Sequence, residues 1–225
     1  MHVCFFDIDG TLLKTGGAGQ AAMEAALLSE FQADRPVEGI PMAGRTDRAI
    51  VSDLFAYFGV ESNEAEWANF MAAYLRHLPD LLQQMQGAVL PGIAGVLEEL
   101  HRRDDVLLGL LTGNFRAGAQ LKLEHYRLAH YFLFGGYGDR HHHRDDVAGE
   151  ALTEAERHHG DAFPAERVWV IGDTPADVQC ARAIGAQSVA VATGTYSRSD
   201  LQATAPDHLF DDFSDPLKLV SLLTD

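Results

Sequence analysis

The chain has 225 residues, is 47% hydrophobic and carries a formal charge of −16. That length supports one large core, or a core with a smaller insertion, and the acidity argues against a nucleic-acid partner. With two cysteines and no apolar run near the roughly 18–20 residues of a bilayer span, neither a disulfide framework nor a membrane span is expected.

The first predicted element is a short apolar run, Cys4-Phe5-Phe6, that stops at Asp7-Ile8-Asp9-Gly10-Thr11. An apolar run ending at charges reads as a buried parallel strand whose carboxyl end opens into a polar site. Asp7 and Asp9 would face opposite sides of a strand, so serving one site requires the chain to leave strand geometry, which Gly10 permits. Asp-x-Asp-Gly is also a fragment of a calcium loop. A calcium loop needs further oxygen ligands and a closing Glu, whereas Leu12-Leu13-Lys14-Thr15 follows here.

Gly16-Gly17-Ala18-Gly19 reads as a hinge. Helical spacing then places Ala21, Ala22, Ala25, Ala26, Leu27 and Leu28 on a helix ended by Pro36 and Gly39. A second helix follows Thr46-Asp47, either of which would cap it, with Ile50, Leu54 and Phe58 on one face. A third is predicted over 64–85 with Trp67, Phe70, Tyr74, Leu78 and Leu82, kinked or split by Pro79. With no strand pattern present, an all-helical insertion over 16–86 is expected.

From Leu90-Pro91-Gly92 onward, strands and helices alternate. Strands are expected at 106–111, 131–134, 168–171 and 188–192, with helices between them and a last helix at 217–223. Such alternation predicts an α/β fold with a doubly wound parallel sheet. Asp7, Thr112, Asp173 and Thr193 would then converge along one sheet edge.

At that edge, Asp7 is placed to attack a phosphoryl group and Asp9 to shuttle protons. Gly172-Asp173-Thr174-Pro175-Ala176-Asp177 supplies two more carboxylates at a helix start, suited either to capping or to metal binding. Unit charges 4 Å apart repel by about 4 kcal/mol at an effective dielectric near 20, so converging carboxylates favour a bound cation. Oxygen-only ligation points to magnesium, which would also offset the global negative charge for a phosphorylated substrate.

These stretches, with Leu110-Leu111-Thr112-Gly113-Asn114, resemble in order the motifs of the haloacid dehalogenase superfamily, in its phosphoglycolate phosphatase-like and β-phosphoglucomutase-like branch. The resemblance implies a Rossmann-like core over 1–15 and 87–225, with a cap of four to five helices over 16–86. It implies Asp7 as nucleophile and Asp9 as acid/base, with Asp7, Asp173, supporting Asp177 and the Asp9 backbone carbonyl around Mg2+. Gly10, Thr112, Gly113 and Asn114 would bind phosphate, although Asn114 suits a helix cap equally well. Relatives carry a lysine before the fourth motif, whereas this chain has Asp139-Arg140-His141-His142-His143-Arg144. Arg144 matches best by position, with Arg140 the alternative; either could hold phosphate and Asp7 bidentately.

The resemblance implies a magnesium-dependent phosphatase for a small phosphorylated metabolite, with a phosphomutase as the alternative and a dehalogenase or a non-catalytic phosphate-binding regulator further off. Arg45, in Gly44-Arg45-Thr46-Asp47, is the candidate substrate contact from the cap. His141-His142-His143 reads as a solvated loop, because adjacent residues point apart and no partner ligand is nearby. With no leader after Met1-His2-Val3, a cytoplasmic monomer or homodimer with no membrane partner is expected.

Overall fold

The computed structural model describes residues 1–224; Asp225, the last residue of the expected core, lies outside them. The strands are β1 (His2–Phe6), β2 (Leu13–Lys14), β3 (Ala88–Val89), β4 (Val106–Leu111), β5 (Phe134–Gly136), β6 (Val168–Gly172), β7 (Gln187–Val191) and β8 (His208–Phe210). The helices are α1 (Ala18–Phe31), α2 (Asp47–Phe58), α3 (Glu64–Gln84), α4 (Ile93–His101), α5 (Arg116–His125), α6 (Arg144–His159), α7 (Pro175–Ala183), α8 (Arg198–Ala203) and α9 (Pro216–Thr224).

Six strands form one parallel sheet in the order β5-β4-β1-β6-β7-β8. The two-residue period of β1 sends its side chains into two cores. Cys4 and Phe6 join Leu97, Leu100 and Leu123 of α4 and α5, while Val3 and Phe5 join Val147, Ala151 and Cys180 of α6 and α7. Both faces are covered, so the strand is apolar throughout, as parallel strands require. The chain steps from β1 outward through β4 and β5, then crosses back to β6 on the other side of β1. That reversal puts a crevice at the carboxyl end of β1.

The insert leaves and returns at the antiparallel pair β2 and β3, where Leu13 faces Val89 and Lys14 faces Ala88. Between them the structure has three helices, α1 to α3, rather than four to five. They share a core of their own: Leu27, Leu54, Phe55, Phe70 and Tyr74 pack with Phe115, which the main body contributes. α3 also runs unbroken through Pro79. The ring removes one hydrogen bond, and burial of Leu78 and Leu82 on either side offsets the cost. The strand expected at 131–134 is a 3-10 turn at Ala129–Tyr131, with pairing beginning only at Phe134. No helix among the described residues is long and apolar enough to cross a membrane.

Candidate active site

β1 ends one residue before Asp7, whose N–H still donates to Ile171 O at 3.0 Å. The chain then doubles back, with the N–H groups of Leu12 and Leu13 both reaching Ile8 O at 2.9 and 3.1 Å. Gly10 makes this turn at φ 89°, and a Cβ there would lie 2.4 Å from an Asp173 carboxylate oxygen. Glycine therefore serves both the backbone and the space above Asp173. The turn separates the two aspartates: Asp7 is buried against its neighbours, while the Asp9 carboxylate leans the other way.

Asp173 follows β6 and accepts from Thr11 Oγ1 at 3.2 Å. Asp177 stands in the first turn of α7, where it makes a capping box with Thr174. Its Oδ2 accepts from Thr174 N at 3.0 Å and Thr174 Oγ1 at 2.7 Å, while Oδ1 takes Arg144 Nη2. Capping and clustering with the other carboxylates thus coexist in one side chain. Thr193 closes this side, donating from Oγ1 to Gly10 O at 2.6 Å.

Asp7, Asp173 and Asp177 each present an oxygen within 4.8 Å of the others, all three buried. Burial raises the carboxyl pKa of Asp7; Arg144 opposes the rise, while Asp177 and Asp9 add to it. Burial, followed by Asp177 and Asp7, raises that of Asp173. Asp7 Oδ1 is buried without a hydrogen-bond partner. An orphaned acceptor amid mutually repelling carboxylates suits a hard divalent cation, and the group could hold a metal ion.

Arg144 opens α6 and is buried between Asp177 and Asp7, with Nη2 3.5 Å from Asp7 Oδ1. Its Nε is buried with no partner. Arg140, the alternative, is exposed. Gly113 and Asn114 line the cleft, whereas fully buried Thr112 stands behind them, its Oγ1 accepting from Asn114 Nδ2 at 2.8 Å. Arg45 also lines the cleft, but its guanidinium is engaged by Asp53 at 2.7 Å and Pro41 O at 3.0 Å. Among the described residues no histidine joins a metal-binding group, and His141 pairs with Glu150 at 3.0 Å.

Two residues escaped sequence reasoning. Lys122 of α5 reaches Asp9 Oδ2 and Asn114 Oδ1, each at 2.6 Å. Its signal was available: Ala119, Lys122 and Leu123 share one buried face, so a lysine sits where the helix should be apolar. By sequence, Asp47 offers only a possible cap for α2. Thr46 is that cap, and the buried Asp47 carboxylate instead accepts from Phe115 N at 2.8 Å, at the start of α5.

Burial pushes the Asp47 carboxyl up to about 7, against the pull of Lys122. A folded-state pKa above the unfolded one contributes stability below the unfolded value and loses it as pH rises through the folded value. Asp47→Asn keeps an acceptor for Phe115 and removes this loss. It should therefore be more stable than wild type at pH 8, by on the order of 1–3 kcal/mol, with the gain fading by pH 5. Urea unfolding at both values checks this; a pH-independent difference would contradict it.

Residues 4–182 match the haloacid dehalogenase-like hydrolase family. The chain is 30% identical over 156 residues to a phosphoglycolate phosphatase of Synechococcus elongatus, covering 69% of each. It is 28% identical over 220 residues to that of Rhodospirillum rubrum, covering 93% of this chain and 86% of the relative. The fold superposes on that of CbbY from Rhodobacter sphaeroides, solved with xylulose-1,5-bisphosphate, with a TM-score of 0.76 at 18% identity, covering 96% of each chain. The chain belongs to the haloacid dehalogenase-like hydrolases and is a phosphatase distantly related to the phosphoglycolate phosphatases.

Proposed function

We propose that the protein is a magnesium-dependent phosphatase acting on a small phosphorylated metabolite through an aspartyl-phosphate. The observation that carries this is a buried acceptor without a hydrogen-bond partner, Asp7 Oδ1, beside the Arg144 guanidinium in one cleft. The first suits a cation and the second a phosphoryl oxygen. The cleft measures about 440 Å³, and the insert lines it with Gln20, Met23, Met42, Ile50 and Tyr74. That space suits a phosphate with a short carbon chain.

Asp7 attacks phosphorus, and Asp9 protonates the departing oxygen. Asp9 then takes a proton from the water that cleaves the aspartyl-phosphate. Arg144, Gly10, Gly113 and Asn114 hold phosphoryl oxygens, with Thr112 supporting Asn114. The carboxylates of Asp7, Asp173 and Asp177 and the Asp9 backbone carbonyl would hold the metal. Magnesium supplies charge neutralisation and polarisation of the phosphoryl group when bound. We take 1–15 and 87–225 as the core domain and 16–86 as a cap that screens the cleft from water. Arg45 contacts substrate only by leaving Asp53. In this reading the protein works where small phosphorylated metabolites are held, such as the cytoplasm.

Phosphate release from a panel of short-chain phosphate esters tests the reading. Activity should disappear with a chelator and return with magnesium; turnover that ignores the chelator rejects it. Sugar-phosphate isomerisation without phosphate release would instead indicate the mutase.

A further inference from the structure

Lys122 is a buried lysine that lines the cleft, and its bonds define a closed unit. Its ammonium donates to Asp9 Oδ2 and to Asn114 Oδ1, each at 2.6 Å. Asn114 Nδ2 donates to the same Asp9 Oδ2 at 2.8 Å, and also to Thr112 Oγ1 at 2.8 Å. Two donors thus converge on one Asp9 oxygen, and among the described residues no hydrogen bond engages the other. The burial is as uneven: the Lys122 side chain is 5% exposed and that of Asp9 40%. One is locked in the protein, the other faces the cleft.

The insert comes close to Lys122 as well. Gly19, in the first turn of α1, lies so close that a Cβ there would sit 3.2 Å from Nζ. With α1 on one side and Asn114 on the other, the ammonium has little room to turn away. An aspartate with one oxygen held by a cation and an amide keeps its second oxygen at a set place and angle. That is what proton transfer within hydrogen-bond reach requires.

We propose that Lys122 is a positioning residue that clamps Asp9 Oδ2 so that Oδ1 meets the reacting oxygen. The proposal rests on the phosphatase reading, in which Asp9 carries the proton. In the first step the Asp7 oxygen–phosphorus bond forms, the bond from phosphorus to the leaving oxygen breaks, and the Asp9 proton passes to that oxygen. In the second, Asp9 accepts a proton from water, the water oxygen bonds phosphorus, and the bond to Asp7 breaks. Both transfers use the oxygen that Lys122 leaves free.

Lys122→Met and Lys122→Arg are assayed with magnesium on phosphate esters whose leaving groups run from 4-nitrophenol to simple alcohols. An alkyl ester needs its leaving oxygen protonated, whereas nitrophenolate departs unaided. The Met variant should lose about 100-fold in kcat/KM on the alkyl ester and less than about 5-fold on the nitrophenyl ester. Acid quenching during nitrophenyl turnover should trap more phosphoenzyme than in wild type, because dephosphorylation also depends on Asp9. Lys122→Arg, retaining a cationic donor, should recover the alkyl ester to within about tenfold of wild type.

A uniform loss across the series overturns the proposal in favour of a merely structural lysine. A rise in KM with an unchanged leaving-group dependence overturns it in favour of a substrate-binding one. If Lys122→Met is unfolded by circular dichroism, Lys122→Gln carries the same comparison. A wild-type enzyme that forms no phosphoenzyme rejects the phosphatase mechanism itself, a result separable from any effect of Lys122.

Discussion

Asp7→Asn should abolish turnover, by at least about 10⁴-fold in kcat, and leave no acid-stable phosphoenzyme. The amide is nearly isosteric, so the cleft keeps its shape and only the attacking oxygen is lost. The expected effect exceeds that of any binding residue because no other described carboxylate can take over the attack. Asp173 and Asp177 are held by Thr11, Thr174 and Arg144, and Asp9 by Asn114 and Lys122. Stability should move the other way. Burial raises the Asp7 carboxyl pKa in the folded chain, so its ionisation costs stability as pH rises through that value. The metal-free Asn variant should therefore unfold at higher urea than wild type at pH 8, and by a smaller margin at pH 5. A dead but more stable variant separates loss of chemistry from loss of fold; retention of more than about a hundredth of activity would place the nucleophile elsewhere.

The sequence disclosed what depends on neighbours in the chain and hid what depends on distant contacts. β1, β4 and β6 were legible because each is an apolar run stopped by a polar residue or glycine, a local pattern that burial on both sides enforces. Asp7 and Asp173 could be placed together because a parallel sheet aligns strand ends. Position alone favours Arg144 over Arg140, and the start of α6 adds the physical difference, one residue being buried and the other exposed. The carboxylate partner of Lys122, Asp9, lies 113 residues away, and the partner of Asp47, Phe115, lies 68 away. No local pattern carries such information. The capture of Arg45 by Asp53 was hidden for a different reason, because it depends on rotamers of two partly exposed side chains. α8 and β8 were also opaque, because at six and three residues they are too short to show an apolar period.

Two cations at the site meet different carboxylates. Lys122 lies with Asp9, on the side of β4 and α5. Arg144 lies with Asp7 and Asp177, on the side of β6 and α7. A lysine at 144 would present one point charge. Arginine bonds Asp177 with one nitrogen and still keeps Nε unpartnered.

Arg144→Met should therefore be the most damaging substitution to stability and activity together. Removing one member of a buried ion pair leaves the partner carboxylates uncompensated, which costs about 3–5 kcal/mol. The cost should depend on pH in a stated direction. Asp7 and Asp173 already have raised carboxyl pKa values, and loss of the guanidinium, which lowers both, raises them further. Ionising them then costs more, so the variant loses stability as pH rises and recovers part of it toward pH 5, where they hold protons. In the metal-free protein, urea unfolding at pH 5 and pH 8 should show the larger deficit at pH 8. Activity should fall about 10²–10³-fold, through loss of a preorganised donor to the phosphoryl group. Arg144→Lys separates the two effects. Its ammonium restores the charge balance with Asp177 and hence most of the stability, but a single point charge cannot hold Asp177 and serve the phosphoryl oxygens from a fixed fork. It should fold like wild type while its kcat/KM stays at least about tenfold low. A Met variant as stable at pH 8 as at pH 5, or a Lys variant with full activity, would remove Arg144 from this role.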